Sequence, residues 1–279
     1  MPPSERPGSV NVETRAYFYD AGATGPGSVR AIAVEAPIQF VVGGAPFAVM
    51  MATPQDLMDF AYGFALSEGV AERVEDIRGA DVEPVEGGWR IGLALTAEKL
   101  QAHLARRRAI SGRTGCGLCG VEDFDQMPRP LPAPGPARPV APAAIGRALS
   151  ELEGAQPLNA LTRAVHAAAW CRLDGSVALV REDVGRHNAL DKAIGALWRE
   201  GVAPESGFFV ITSRCSFEMV AKAAIFGART LVAVSAPTSL ALERARALGV
   251  TVIAVARKDN ALSFAGDFGD AIGGREWAA

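Results

Sequence analysis

The chain has 279 residues, 28 Lys+Arg against 31 Asp+Glu, a net charge of −3 and 49% apolar residues. That composition excludes a disordered chain and a generally basic nucleic-acid coat, and it supplies apolar side chains for one large core or two smaller ones. Four cysteines are too few for a disulfide scaffold, no run reaches the roughly 18 apolar residues of a membrane span, and the opening Met1-Pro2-Pro3 has no apolar signal core, so a reduced cytoplasmic setting without membrane or nucleic-acid partners is expected.

Residues 1 to 10 read as a loose tail. Residues 28–35, 38–42 and 47–51 read as strands, with Gly43-Gly44 turning between the last two. Thr53-Pro54-Gln55-Asp56 reads as a helix start, with Thr53 as N-cap and Pro54 at the first helical position. Leu57, Phe60, Ala61, Phe64 and Ala65 continue at helical spacing, and Gly69 closes the helix. Ile91, Leu93 and Leu95 alternate as in a strand, and 97–108 reads as a helix. Residues 1–110 are thus expected to form a small α+β domain.

Residues 111–120 are SGRTGCGLCG, four glycines around Cys116 and Cys119. Seven prolines follow between positions 128 and 142, so 111–142 is expected to be a cysteine loop and a stiff, extended linker. Helices are expected at 143–153 and 159–169, and a hairpin around Asp174-Gly175. Helices 188–199, 216–226 and 238–248 then alternate with strands 207–212, 230–235 and 251–256. That alternation predicts a largely parallel sheet with helices on both faces over 143–279, an α/β domain.

Ligands of open α/β sheets sit beyond the carboxyl ends of the strands. Four segments occupy that position here: Arg181-Glu182-Asp183-Val184-Gly185-Arg186-His187-Asn188, Thr212-Ser213-Arg214-Cys215-Ser216, Ser235-Ala236-Pro237-Thr238 and Arg257-Lys258-Asp259-Asn260. Each precedes a helix or follows the last strand. Helix N-termini, hydroxyls and the cations Arg181, Arg186, Arg214, Arg257 and Lys258 together suit phosphate or pyrophosphate. Singly, each reads as readily as a cap or a solvated charge. No Walker loop or GxGxxG accompanies them. His187 and Asp191 are four apart and share one helix face, as a proton-handling pair or as part of a cap network. Glu182 and Asp183 either pair with nearby arginines or accept guanine N–H groups.

The CxxC pair leaves three readings open. A redox pair would open a helix after a strand, and this one follows a helix. Structural zinc needs two more paired ligands, and His103, His166, His187, Cys171 and Cys215 are scattered. A thiolate that carries a group fits the freely moving glycine backbone and the nearby Arg113. Cys171 and Cys215 read as small core hydrophobes.

Gly115-Cys116-Gly117-Leu118-Cys119-Gly120, Thr162–Ala168, the run from Arg181 to Lys192, and Thr212–Val220 together closely resemble the formate dehydrogenase accessory sulfurtransferase family (FdhD) over about residues 30 to 264. The resemblance implies a sulfurtransferase with a cysteine persulfide intermediate. It would take sulfur from a cysteine desulfurase, deliver it to the bis(molybdopterin guanine dinucleotide) cofactor, and so serve the formate dehydrogenase catalytic subunit. Catalysis maps to Cys116, with Cys119 assisting. The dinucleotide, with its GDP-like moieties, maps to Val255, Ala256, Arg257, Lys258, Asp259 and Asn260, with Arg181, Asp183, His187, Ser213, Arg214 and Ser235 on the same rim. Phe264 stands where the family often has tyrosine. No structural metal is implied.

The implied fold is cytidine-deaminase-like, three layers with a smaller N-terminal α+β domain. Zinc deamination itself is excluded by motif. His187 lacks a following acid two residues on, and Cys215 lacks a second cysteine three residues on. A cofactor-binding chaperone without sulfur chemistry is the competing reading. A symmetric homodimer is expected, with helices such as 188–199 as candidate contacts.

Overall fold

A computed structural model describes residues 8–20, 22–109 and 139–266. The cysteine loop, most of the proline run and the last residues lie outside that set, as do both cysteines of the CxxC pair. Chain order is β1 (Ser9–Phe18), β2 (Ala23–Ala33), β3 (Ala36–Val42), β4 (Ala45–Ala52), α1 (Leu57–Ser67), β5 (Ile77–Val85), β6 (Gly88–Leu95) and α2 (Ala97–Ala109). It continues with α3 (Pro142–Gly154), α4 (Pro157–Thr162), β7 (His166–Arg172), β8 (Val177–Asp183), α5 (Arg186–Arg199), β9 (Gly207–Ile211), α6 (Phe217–Phe226), β10 (Thr230–Ala233), α7 (Ser239–Leu248), β11 (Thr251–Ala254) and β12 (Leu262–Ala265).

The strands form three sheets. β1 and β2 make a two-stranded ribbon; β4-β3-β6-β5 make a four-stranded sheet; β12-β11-β10-β9-β7-β8 make a six-stranded one. In the last, β9, β10 and β11 run parallel, while β7, β8 and β12 join antiparallel. The sheet is therefore mixed rather than largely parallel. Strands β1, β5 and β12 have no counterpart among the elements expected from sequence, because such largely exposed strands carry little apolar alternation.

Alternation along β9 builds the layers. Phe208 and Val210 pack toward α3 with Ile145, Ala148 and Leu152. Phe209 and Ile211 pack toward α5, α6 and α7 with Leu190, Ile194, Met219 and Ala245. The four-stranded sheet buries Ile38, Phe40, Ile91 and Leu93 against Phe60 and Phe64 of α1. The Phe40 and Phe64 rings stack with centroids 4.0 Å apart.

The other side of α1 lies on α5 in backbone contact. A Cβ on Gly63 would sit 1.7 Å from the Asp191 carbonyl oxygen, and one on Gly195 1.8 Å from that of Asp59. Only paired glycines permit this approach. Charges surround it. Asp59 accepts from Arg181 Nη2 at 2.7 Å and pairs with Arg199. Lys192 Nζ, fully buried, reaches Asp183 at 2.6 Å and the Thr53 carbonyl at 2.8 Å. Lys222 Nζ reaches Asp191 at 2.8 Å, Ser67 at 2.7 Å and Glu68 at 3.2 Å. Burial alone would discharge Lys222, but Asp191 and Glu68 outweigh it and hold the ammonium above the ordinary lysine value.

Two expectations are corrected by these contacts. Thr53 is not the cap of α1; Asp56 is, with a left-handed φ of 52°, and the helix begins at Leu57. Thr53 is instead fully buried, its N–H on Asp183, its hydroxyl accepting from the Val184 N–H and its carbonyl on Lys192. The helix expected at 159–169 stops at Thr162, with Arg163 left-handed at φ 56°. The alanine-rich run after it becomes β7, because β8 and β9 flank it on both edges and bury it.

Replacing Gly195 by Ala should cost about 3 kcal/mol or more, as forced overpacking does. Urea unfolding of the variant, with an unchanged m-value, is the measurement.

Candidate anion-binding site

Because β8, β9, β10 and β11 point the same way, the segments after them meet at one rim. Those segments are also hydrogen-bonded to one another. The Cys215 N–H donates to the Ala236 carbonyl at 3.2 Å, and the Thr238 N–H donates to that of Cys215 at 3.0 Å. Ser235 Oγ reaches the Thr212 carbonyl at 3.5 Å, and the Val255 N–H reaches that of Ser235 at 3.3 Å. The result is a continuous ledge, 212–216 beside 235–238 beside 255–260.

Val255 ends β11 with φ at +52°. A β-branched residue in that region is strained, at about 1–3 kcal/mol, and such strain persists only where neighbours hold it. Here the N–H groups of Val255 and Ala256 are bonded to Ser235 and Ala233. The chain then turns through 257–260, closed by the Arg257 N–H on the Asn260 carbonyl at 2.7 Å. Arg257 Nη1 donates to the Val234 carbonyl at 2.6 Å, and Lys258 pairs with Glu153 of α3. Lys258, Asp259 and Asn260 are exposed, whereas the Ala256 side chain is buried in the α3 layer. Phe264 packs on the opposite layer.

The cationic part of the rim is formed by Arg186 and Arg214, with His166 between their charges. Arg214 is exposed, and Arg186 Nε is buried without a hydrogen-bond partner among the described residues. Burial holds the His166 pKa below its ordinary value, and the charges of Arg186 and Arg214 push it down further. His166 therefore sits in the field of two guanidinium groups. The helix expected over 159–169 would include it. The hairpin register corrects this: His166 lies opposite Asp183, at the open end of β7. Counting back from the Asp174-Gly175 turn would have found it.

Two expected rim residues serve the α1 junction instead. Arg181 puts Nε and Nη2 on Asp59 and turns away from the ledge. Asp183 is fully buried and saturated, by Lys192 and the Thr53 N–H on one oxygen and by the Gly185 N–H and Asn188 on the other. Glu182 caps α4, accepting the N–H groups of Leu158 and Asn159. Ser213 is buried, its hydroxyl on the Arg214 carbonyl.

His187 and Asp191 do share a face of α5, and both meet α6. His187 Nε2 is 3.2 Å from Glu218 Oε2, one turn from the Asp191–Lys222 pair. Burial lowers the His187 pKa, against the raising effect of Glu218. Glu218 also accepts from Ser216 Oγ at 3.1 Å. No group of three or more potential metal ligands occurs among the described residues.

The thiols divide sharply. Cys171 and Cys215 are both fully buried, and burial pushes each up to about 12. At that pKa neither offers a thiolate near neutral pH.

The FdhD/NarQ family matches residues 33–268. The chain belongs to the FdhD/NarQ family. A relative named sulfur carrier protein FdhD, from Xanthomonas axonopodis pv. citri (strain 306), is 44% identical over 274 residues, covering 97% of this chain and 96% of its own. The protein of the same name from Bordetella petrii is 44% identical over 230 residues, 82% of this chain and 83% of its own. A solved structure described as a formate dehydrogenase accessory protein from Desulfotalea psychrophila superposes with a TM-score of 0.72 at 25% identity, covering 93% of this chain and 98% of that one. The family's α/β architecture is thus present over nearly the whole length. No described helix is long and apolar enough to cross a membrane.

With Cys116 and Cys119 both changed to Ala, the folded protein should show no rapidly reacting thiol toward a disulfide reagent. Two thiols should appear once guanidinium unfolds it.

Proposed function

We propose that this chain is a cytoplasmic sulfur carrier. It takes sulfane sulfur from a cysteine desulfurase persulfide and delivers it to the bis(molybdopterin guanine dinucleotide) cofactor used by formate dehydrogenase. What supports this most directly is membership of a family whose relatives are named sulfur carriers, joined to the division of thiols. Burial pushes the Cys171 and Cys215 thiols up to about 12, which supports Cys116 or Cys119 as the carrier of the transferable sulfur.

The first step is an exchange at sulfur. The Cys116 thiolate attacks the outer sulfur of the donor persulfide and forms a new S–S bond. The donor's old S–S bond breaks, and its own cysteine leaves as a thiolate. No net redox change occurs. Cys119, three residues on in the sequence, would accept or release the sulfur in the same way.

The cofactor enters as substrate. Its charged guanine-dinucleotide portion suits the ledge: Arg186, Arg214 and protonated His166 would meet phosphate, with the backbone of 255–260 and Ser235 beside them. The strain at Val255 supports a binding role for that turn. The strand order β8-β7-β9-β10-β11 also agrees with a cytidine-deaminase-like assignment of the six-stranded domain.

Incubation with a cysteine desulfurase and cysteine should add the mass of one sulfur atom, and Cys116→Ala should abolish the adduct. Loss of both cysteines with cofactor delivery intact would instead select the chaperone reading. Guanosine diphosphate tests the ledge separately. Arg214→Ala should weaken its binding roughly ten-fold or more, the value of a charged hydrogen bond. Affinity should rise as the pH falls through the His166 titration. His166 is neutral above its lowered pKa, and a bound anion favours the protonated ring; His166→Gln should flatten that rise.

A further inference from the structure

The run from Arg181 to Lys192 passes from β8 into α5, and β4 and α1 grip it on both sides of the turn. Arg181 lies on Asp59 of α1. The Thr53 N–H donates to Asp183 Oδ2 at 3.0 Å, and the Thr53 hydroxyl accepts the Val184 N–H at 3.2 Å. Asn188 donates to the Met51 carbonyl at 2.8 Å, and Lys192 donates to that of Thr53 at 2.8 Å. Met51 and Thr53 lie at the end of β4. From Asn188 to Leu197 α5 is buried, so it offers none of the subunit contact expected of it; its start is shaped from within the chain.

Gly185, Arg186 and His187 lie between these grips and make no hydrogen bond or ion pair to β4 or α1 among the described residues. Arg186 Nε is buried without a hydrogen-bond partner among them, and no side chain caps α5. Asp183 has both oxygens engaged, on Thr53, Lys192, Gly185 and Asn188. The turn that presents Arg186 is thus held from β4, not from the ledge. The grip itself is stiff. Thr53 is fully buried, Pro54 fixes the backbone after it, and Asp56, left-handed at φ 52°, turns the chain into α1. The hydroxyl is the part of Thr53 that valine cannot replace. Valine has the same shape but no acceptor, and the Val184 N–H would have to move to find one.

We propose that Thr53 is a positioning residue of the anion site: through its hydroxyl and N–H the end of β4 fixes the 183–185 turn and with it the place of Arg186. The ledge then belongs to both halves of the chain, and a bound anion and the α1–α5 junction stabilise each other. This role rests on the anion-binding reading of the ledge and does not involve the cysteines.

Calorimetric titration of the full chain with guanosine diphosphate is the test. Thr53→Val should raise the dissociation constant about five-fold, and Thr53→Ser, which keeps the hydroxyl, should stay within about two-fold of the parent. Asn188→Ala loosens the same turn from its other side and should also weaken binding. Ser67→Ala removes a partner of Lys222 at the same junction and leaves the turn alone. It should lower the urea midpoint without changing the affinity. Hydrogen exchange at the Val184 amide should quicken in Thr53→Val and not in Ser67→Ala. If Arg214→Ala weakens binding while Thr53→Val and Asn188→Ala do not, the positioning role is overturned and the ledge stands. If the parent chain does not bind guanosine diphosphate, both fall. An equal loss of affinity in Ser67→Ala also overturns the role, because it marks general loosening of the junction.

Discussion

The contact between α1 and α5 is the constraint on which the rest depends. Gly63 and Gly195 let two backbones touch, and three buried or half-buried cations lock the crossing: Arg181 on Asp59, Lys192 on Asp183, and Lys222 on Asp191. Each lies in low dielectric, where an unpaired charge is costly, so no one partner can be removed without penalty. The four-stranded sheet is held to the six-stranded one through this junction. The start of α5, and with it Arg186 and His187, takes its position from the same contacts.

The ledge follows from that placement. Its backbone is zipped from strand to strand, so the groups that line it are held in fixed positions. Arg186 and Arg214 provide cations, and His166 beside them becomes one only on protonation, which burial and the two guanidinium groups oppose. The turn after Val255 provides a rigid, exposed edge. The acidic residues nearby are engaged elsewhere: Asp183 in the Lys192 pair, Glu182 on the α4 terminus, Glu218 on His187 and Ser216. A chain whose total charge is near neutral thereby shows a cationic rim among its described residues.

Thiol chemistry is divided along the same lines. Where a cysteine fills space between packed layers, burial raises its pKa and makes it inert, as at Cys171 and Cys215. The glycine-flanked pair lies outside that core in sequence, between α2 and α3. A carrier needs such a division, since a second reactive thiol would intercept the sulfur.

Strand ends and helix starts were legible from sequence because their signals are local. The Asp174-Gly175 turn, the periodicity of α5, α6 and α7, and the run of polar residues after each strand all act over a few positions. The sulfur-carrying family was legible in the same runs. Pairing across the fold was not. Thr53 has the chemistry of a cap, and Arg181 and Asp183 have the chemistry of a ligand site, yet each is claimed by residues more than a hundred positions away. His166 reads as helical until β8 and β9 flank it. The left-handed turn at Val255 is written in no propensity and exists because neighbouring strands hold it. Sequence determined which groups could bind an anion or carry sulfur; the tertiary structure decided which of them remain free, because a polar group buried at a junction must be satisfied there first.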